Sequence, residues 1–157
     1  MKQTLLNLFM IGLLVVGLSA CGNDDSTDAA SPDEPAAVEQ KPVTQEDLLH
    51  HRFVLKSAND VSYEGKERVP DLEFLEGLRV AAGVCNRMSG QGELKDGKLV
   101  VKQMAATMMM CAEEDLNKLE RDFGAVLAEG ADIKIEGNTL ILSGSGLTLI
   151  YETSDWL

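Results

Sequence analysis

Three cysteines, two histidines and a run of methionines are the residues of this chain best equipped for chemistry. Cys85 and Cys111 admit three readings: a disulfide, two small buried thiols, or a reactive thiol favoured by a helix N-terminus. No general base stands beside either in sequence, and neither His50 nor His51 belongs to a recognisable Cys–His arrangement. Met104, Met108, Met109, Met110 and Cys111 place five soft sulfurs within eight residues. Such ligands suit Cu(I). Three consecutive methionines cannot all face one ion, however, and methionine also fills irregular cores. The reading adopted is core and surface methionine, with no metal and no cofactor. His50 and His51 are adjacent, and in an extended segment they point to opposite faces, so they do not chelate together. Asn86-Arg87-Met88-Ser89-Gly90 reads as a loop with Asn86, Arg87 and Ser89 as binding candidates. An amide and a forked guanidinium suit a carboxylate or a peptide backbone. The plainer alternative is that Asn86 bonds its own loop backbone and Arg87 pairs with an acid. No GxSxG, HExxH, P-loop or GxGxxG is present, and Gly90-Gln91-Gly92 lacks the rest of a phosphate motif. No enzymatic activity is expected.

The 157 residues are 45% apolar and 25% charged, the composition of a globular domain plus something small. The net charge of −12 excludes nucleic acid as an expected partner, because phosphate contacts need basic residues. Residues 1–20 open with Lys2 and continue through an apolar stretch interrupted only by Asn7. That stretch is too short to span a bilayer comfortably. It ends in Leu18-Ser19-Ala20-Cys21, small residues before a cysteine, as in a secretory signal. It resembles a bacterial lipoprotein signal. The resemblance implies cleavage before Cys21 and lipidation of Cys21, which anchors the chain in a membrane. Gly22, rather than Asp, at the second mature position implies the outer membrane, periplasmic face. In that oxidising compartment the pair Cys85 and Cys111 is most simply a disulfide.

Residues 21–43 comprise the lipidated cysteine and an acidic, aromatic-free segment, expected to be a disordered tether. Residues 44–157 form one domain. Thr44 is placed to cap a short helix over 45–50. Residues 52–56 alternate, with Phe53 and Leu55 on one face, and residues 57–69 are polar and loop-like, with a candidate short strand near Tyr63. A hairpin follows over 71–75 and 78–84, turning at Glu76-Gly77. Residues 92–95 and 98–103 flank Asp96-Gly97, a favoured tight-turn pair. Over 112–129, Leu116, Leu119, Phe123, Val126 and Leu127 fall on one helical stripe, and Gly130 ends it. Three alternating strands close the chain around Ile133, Leu140 and Leu147. The expected class is α+β: a small antiparallel β-rich barrel of seven to eight strands packed on one long helix.

Three blocks carry a family resemblance: His50-His51-Arg52-Phe53-Val54-Leu55, Val84-Cys85-Asn86-Arg87-Met88-Ser89-Gly90 and Thr107-Met108-Met109-Met110-Cys111-Ala112. They resemble the META domain, and within it the HslJ heat-shock lipoproteins, over residues 45–151. Two departures are Val84, where many META domains have Gly, and Phe53, where many have Trp. The resemblance implies a cracked barrel on a helix, no established enzymatic activity, and a link to stress and antibiotic tolerance. The expected function is non-enzymatic binding of a periplasmic or outer-membrane protein or a small ligand by an anchored monomer. The alternative is a pilot or assembly factor for an outer-membrane complex, by analogy of fold.

Overall fold

The computed structural model describes residues 41–156. The expected signal over 1–20, Cys21, and the tether as far as residue 40 lie outside them. Val43 packs against the core, and Lys41 lies 3.7 Å from Asp47, so the last residues of the expected tether, 41–43, contact the domain.

The strands are β1 (His51–Ala58), β2 (Val61–Ser62), β3 (Asp71–Leu75), β4 (Arg79–Gly83), β5 (Arg87–Gln91), β6 (Glu93–Lys95), β7 (Lys98–Val100), β8 (Met104–Ala106), β9 (Ala131–Glu136), β10 (Thr139–Gly144) and β11 (Leu147–Trp156). One helix, α1 (Glu114–Glu129), is inserted between β8 and β9. The sheet runs β6-β7-β9-β10-β11-β1-β3-β4-β5-β8, with β2 added to β1, and each pairing is antiparallel.

Connectivity forces this sheet to curl. β5 and β6 stand near opposite ends of the hydrogen-bonded path, yet a single residue, Gly92, joins them. The two ends must therefore come round toward each other. Gly92 sits where they meet: its N–H donates to Leu78 O at 3.0 Å, and a Cβ there would lie 2.8 Å from the same oxygen. The result is a curled antiparallel half-barrel of eleven strands, broadly α+β, rather than a cracked barrel of seven to eight. The undercount has a physical source. β2 and β8 are two and three residues long, too short to show alternation, and β5 reads as a loop because Ser89-Gly90 has little strand propensity. Neighbouring ladders make β5 a strand: Ala81 and Ala105 flank Ser89 on either side.

The helix fills the concave face. Leu116, Leu119, Phe123, Val126 and Leu127 are buried, as the stripe predicts, although α1 starts at Glu114 rather than at residue 112. Gly130, at φ 104, ends it and returns its N–H to Val126 O at 2.9 Å. Residues from both sheet ends, including Val80, Leu99 and Leu142, join the helix in one core cluster. The short helix expected over 45–50 is instead a turn, with Leu48 and Leu49 N–H donating to Gln45 O. Thr44 donates its backbone N–H and its hydroxyl to Asp47. His50 ends the turn at φ 63, a left-handed conformation that stops helical propagation.

Candidate functional site

The second and third family blocks and the helix start converge at the corner between β4 and β5. Cys85 leaves the β4 end and Cys111 precedes α1; their Cα atoms are 5.7 Å apart and they are joined by a disulfide. Asn86 follows, only 5% exposed. Its Oδ1 accepts from Thr107 Oγ1 and Met109 N–H, each at 2.8 Å. Its Nδ2 donates to Met109 O at 3.0 Å and Glu120 Oε1 at 2.8 Å. Both donors and both lone pairs of the amide are therefore used within the protein. Asn86 holds the backbone of Met109 by its N–H and its C=O together, as a strand neighbour would.

Glu120 completes the tie from the helix. Its Oε2 accepts the backbone N–H groups of Cys85, at 3.1 Å, and of Asn86. Asn117, one turn earlier, accepts Cys111 N–H at 3.2 Å and donates to Cys111 O at 2.8 Å. Arg68 donates to Cys85 O at 3.2 Å and lies equally close to Cys111 Sγ. The segment between β8 and α1 is thus pinned at Thr107, Met109 and Cys111.

The other binding candidates separate from Asn86. Arg87 and Ser89 lie two apart on β5 and so share one face. Arg87 is exposed, with Nη1 3.6 Å from Asp71 Oδ1. Ser89 is half-buried in mid-strand. Asp71 is a buried carboxylate that sequence reasoning missed: Arg52 Nε and Nη2 donate to its Oδ2 at 3.1 and 2.7 Å. Gly83, cross-strand from Asp71, leaves the space this ion pair occupies, since a Cβ would stand 2.4 Å from Asp71 Oδ1. Glu120, Asn117 and Thr107 were likewise missed. Glu120 sits beside Leu119 at the edge of the apolar stripe, and nothing in its spacing marks it.

The methionines divide by environment. Met88 is buried and Met104 packs against the core, as expected of filler. Met108, Met109 and Met110 are 99%, 61% and 93% exposed. Among the described residues no group of three or more His, Cys, Asp or Glu is gathered as a metal site.

Beyond the helix start, a cleft of about 490 Å³ opens between the β1–β2 turn, α1 and the β10–β11 turn. Val61, Leu119, Val126 and Leu147 give it an apolar floor, and Asp115, Lys118 and Asp122 line its helical side. Tyr63 lies in its wall, with Lys66 Nζ 4.4 Å from the ring centroid and 2.7 Å from Asp115 Oδ2. The bond from Lys66 holds Asp115 below the usual carboxylate range, and the same bond raises Lys66. Burial, then the Asp115 charge, raises the Tyr63 phenol. Tyr151, fully buried, is raised further by desolvation, with Asp71 adding to it.

The META domain family profile matches residues 46–156, most of the chain. The chain belongs to the META domain family. The heat shock protein HslJ of Escherichia coli (strain K12) is 40% identical over 113 residues, which cover 72% of this chain and 81% of that protein. A solved NMR structure at 40% identity superposes with a TM-score of 0.67, covering 72% of this chain and 97% of its own. A second NMR structure, from Burkholderia xenovorans, is 19% identical and covers 85% of this chain and 99% of that one. Its TM-score of 0.59 shows a shared fold. Within this META domain the first block supplies β1, the second the disulfide and the Asn86 tie, and the third the exposed methionines.

Proposed function

We propose that this META protein is a non-enzymatic lipoprotein, anchored through Cys21 in the outer membrane and facing the periplasm, that serves the envelope under stress by binding a protein or small ligand. The observation that carries this reading is what the corner from Cys85 to Asn86 is built to do. Disulfide, buried amide and Glu120 carboxylate are all engaged with one another and with backbone, and they hold a neighbouring segment in place. Polar groups committed in this way position a surface; they do not move protons or attack bonds. Beside them lies an open cleft with an apolar floor and charged side, the usual makeup of a binding site. The stress role follows from the similarity to a heat shock protein. The anchor follows from the lipobox and the acidic spacer after it.

Fractionation tests the reading. The wild-type chain floats with outer membranes, and its N-terminal tryptic peptide carries the added mass of acyl chains on Cys21. Cys21→Ala leaves an uncleaved precursor in the inner membrane. Release of the Cys21→Ala chain as a soluble, processed protein would show that no lipobox is read.

A further inference from the structure

Met108 and Met110 are almost completely exposed, yet the backbone between them is tethered on both its N–H and its C=O. Met109 N–H and C=O are both bonded to Asn86, Thr107 Oγ1 donates to the same amide, and Cys111 is fixed by the disulfide and by Asn117. Three long apolar side chains are held out into water by a structured base. Methionine is flexible and polarizable, which suits it to contact apolar surfaces of variable shape.

The charges around the segment indicate what would cover it. Glu67 and Glu113 line the groove on one side of Met110, and Glu114 and Asp115 the groove on the other. Of the cations there, Arg68 is bonded to Cys85 O, and Lys118 is paired with Asp122. Lys66 is paired with Asp115. Glu67, Glu113 and Glu114 make no salt bridge among the described residues, although the Glu113 charge acts on Lys66; Arg68 and Arg121 also lack a carboxylate partner, so in these grooves carboxylates outside any salt bridge outnumber such cations by three to two. The net charge of −12 adds a long-range field of the same sign. An apolar ridge whose rim holds three carboxylates outside any salt bridge against two such cations, on a chain of net negative charge, complements a segment that is apolar on one face and basic on the other.

We propose that the Met108–Met110 ridge and its carboxylate rim form a docking surface for a cationic amphipathic peptide segment of a partner protein. The proposal rests on the reading of the chain as a binding protein and names the chemistry of its partner. The anchor is tested separately by Cys21→Ala, so either can fail alone.

The test uses the full mature chain in zwitterionic phosphatidylcholine nanodiscs and a fluorescent peptide of Lys and Leu at helical spacing, with empty nanodiscs as background. Anisotropy should report saturable binding to the protein that weakens as salt is raised. Replacing Met108, Met109 and Met110 together by Gln should weaken it by about tenfold or more, as expected from leaving two or three methionine side chains out of the contact. These side chains are exposed, so the variant should melt like the wild type. Glu113→Gln with Glu114→Gln should lower the affinity and flatten the salt dependence. A peptide with Glu in place of each Lys should bind no better than background. Unchanged affinity in the triple variant overturns the proposal, as does equal binding of the acidic peptide. Peptide binding that occurs only at the bilayer of empty nanodiscs overturns it too.

Discussion

Phe123→Ala should destabilise the META domain by about 3–5 kcal/mol, the usual cost of removing a large aromatic from a packed core. Phe123 is 1% exposed and lies midway along the buried face of α1, with Leu119 one turn before it and Leu127 one turn after. That face is the cover of the curled sheet, so the hole left by the ring would lie between helix and strands. Backbone hydrogen bonds fix both layers, which limits how far they can collapse into it. Urea unfolding of wild type and variant measures the effect. Arg121→Ala, on the exposed face two residues earlier, should stay within about 0.5 kcal/mol and serves as the control. A loss below about 1 kcal/mol at Phe123 would mean that the helix does not seal the core.

Reducing the disulfide should have the next largest effect. The bond from Cys85 to Cys111 spans 26 positions in sequence, and closing such a loop restricts the unfolded chain by about 3.5 kcal/mol. For a domain of this size, that corresponds to a fall in Tm of roughly 10–15 °C on adding reductant. The bond also anchors the far end of the segment that Asn86 holds, so reduction should free Cys111 and Met110 before it unfolds the sheet. Hydrogen exchange at Met109 and Cys111, whose N–H groups are bonded to Asn86 and Asn117, should rise at reductant levels that leave the β1–β11 ladder protected. Thiol alkylation of denatured, unreduced protein taken from membranes should label neither Cys85 nor Cys111. If both cysteines alkylate without reductant and the melting temperature is unmoved by it, the pair is unbonded.

Much of this architecture was legible because local physics and tertiary packing agree. The stripe from Leu116 to Leu127 requires a helix with one buried face, and it has one. Asp96-Gly97 predicts a two-residue turn, and both residues adopt positive φ, at 52° and 73°, between Lys95 and its cross-strand partner Lys98. Residues 45–50 and 87–91 differ because tertiary contacts decide them. A six-residue helix has too few internal bonds to persist. For β5, the decisive partners lie far off in sequence: Gly90 is required because a Cβ would stand 2.5 Å from Gln103 O. The family blocks drew attention to Asn86 and Cys85, but not to what holds them. Glu120 bonds the corner from a helix whose pattern marks only its apolar positions, and Asp71 is buried by Arg52 from another strand. Hydrogen bonds across such distances leave no periodicity to read. The exposure of Met108, Met109 and Met110 was open for the same reason, since methionine suits core and surface alike.

If the chain works by contact, as proposed, its partner docks on the ridge beside the helix start. Site-specific photocrosslinking in living cells tests this most directly. A photoreactive amino acid is placed at Met110 in the full-length chain, and in a parallel strain at Lys95, an exposed position at the end of β6. The account predicts a discrete, light-dependent adduct with a protein at position 110, lost when Glu113 and Glu114 are both changed to Gln, and none at position 95. Adducts of equal yield at both positions, or none at position 110 under heat stress, would contradict it.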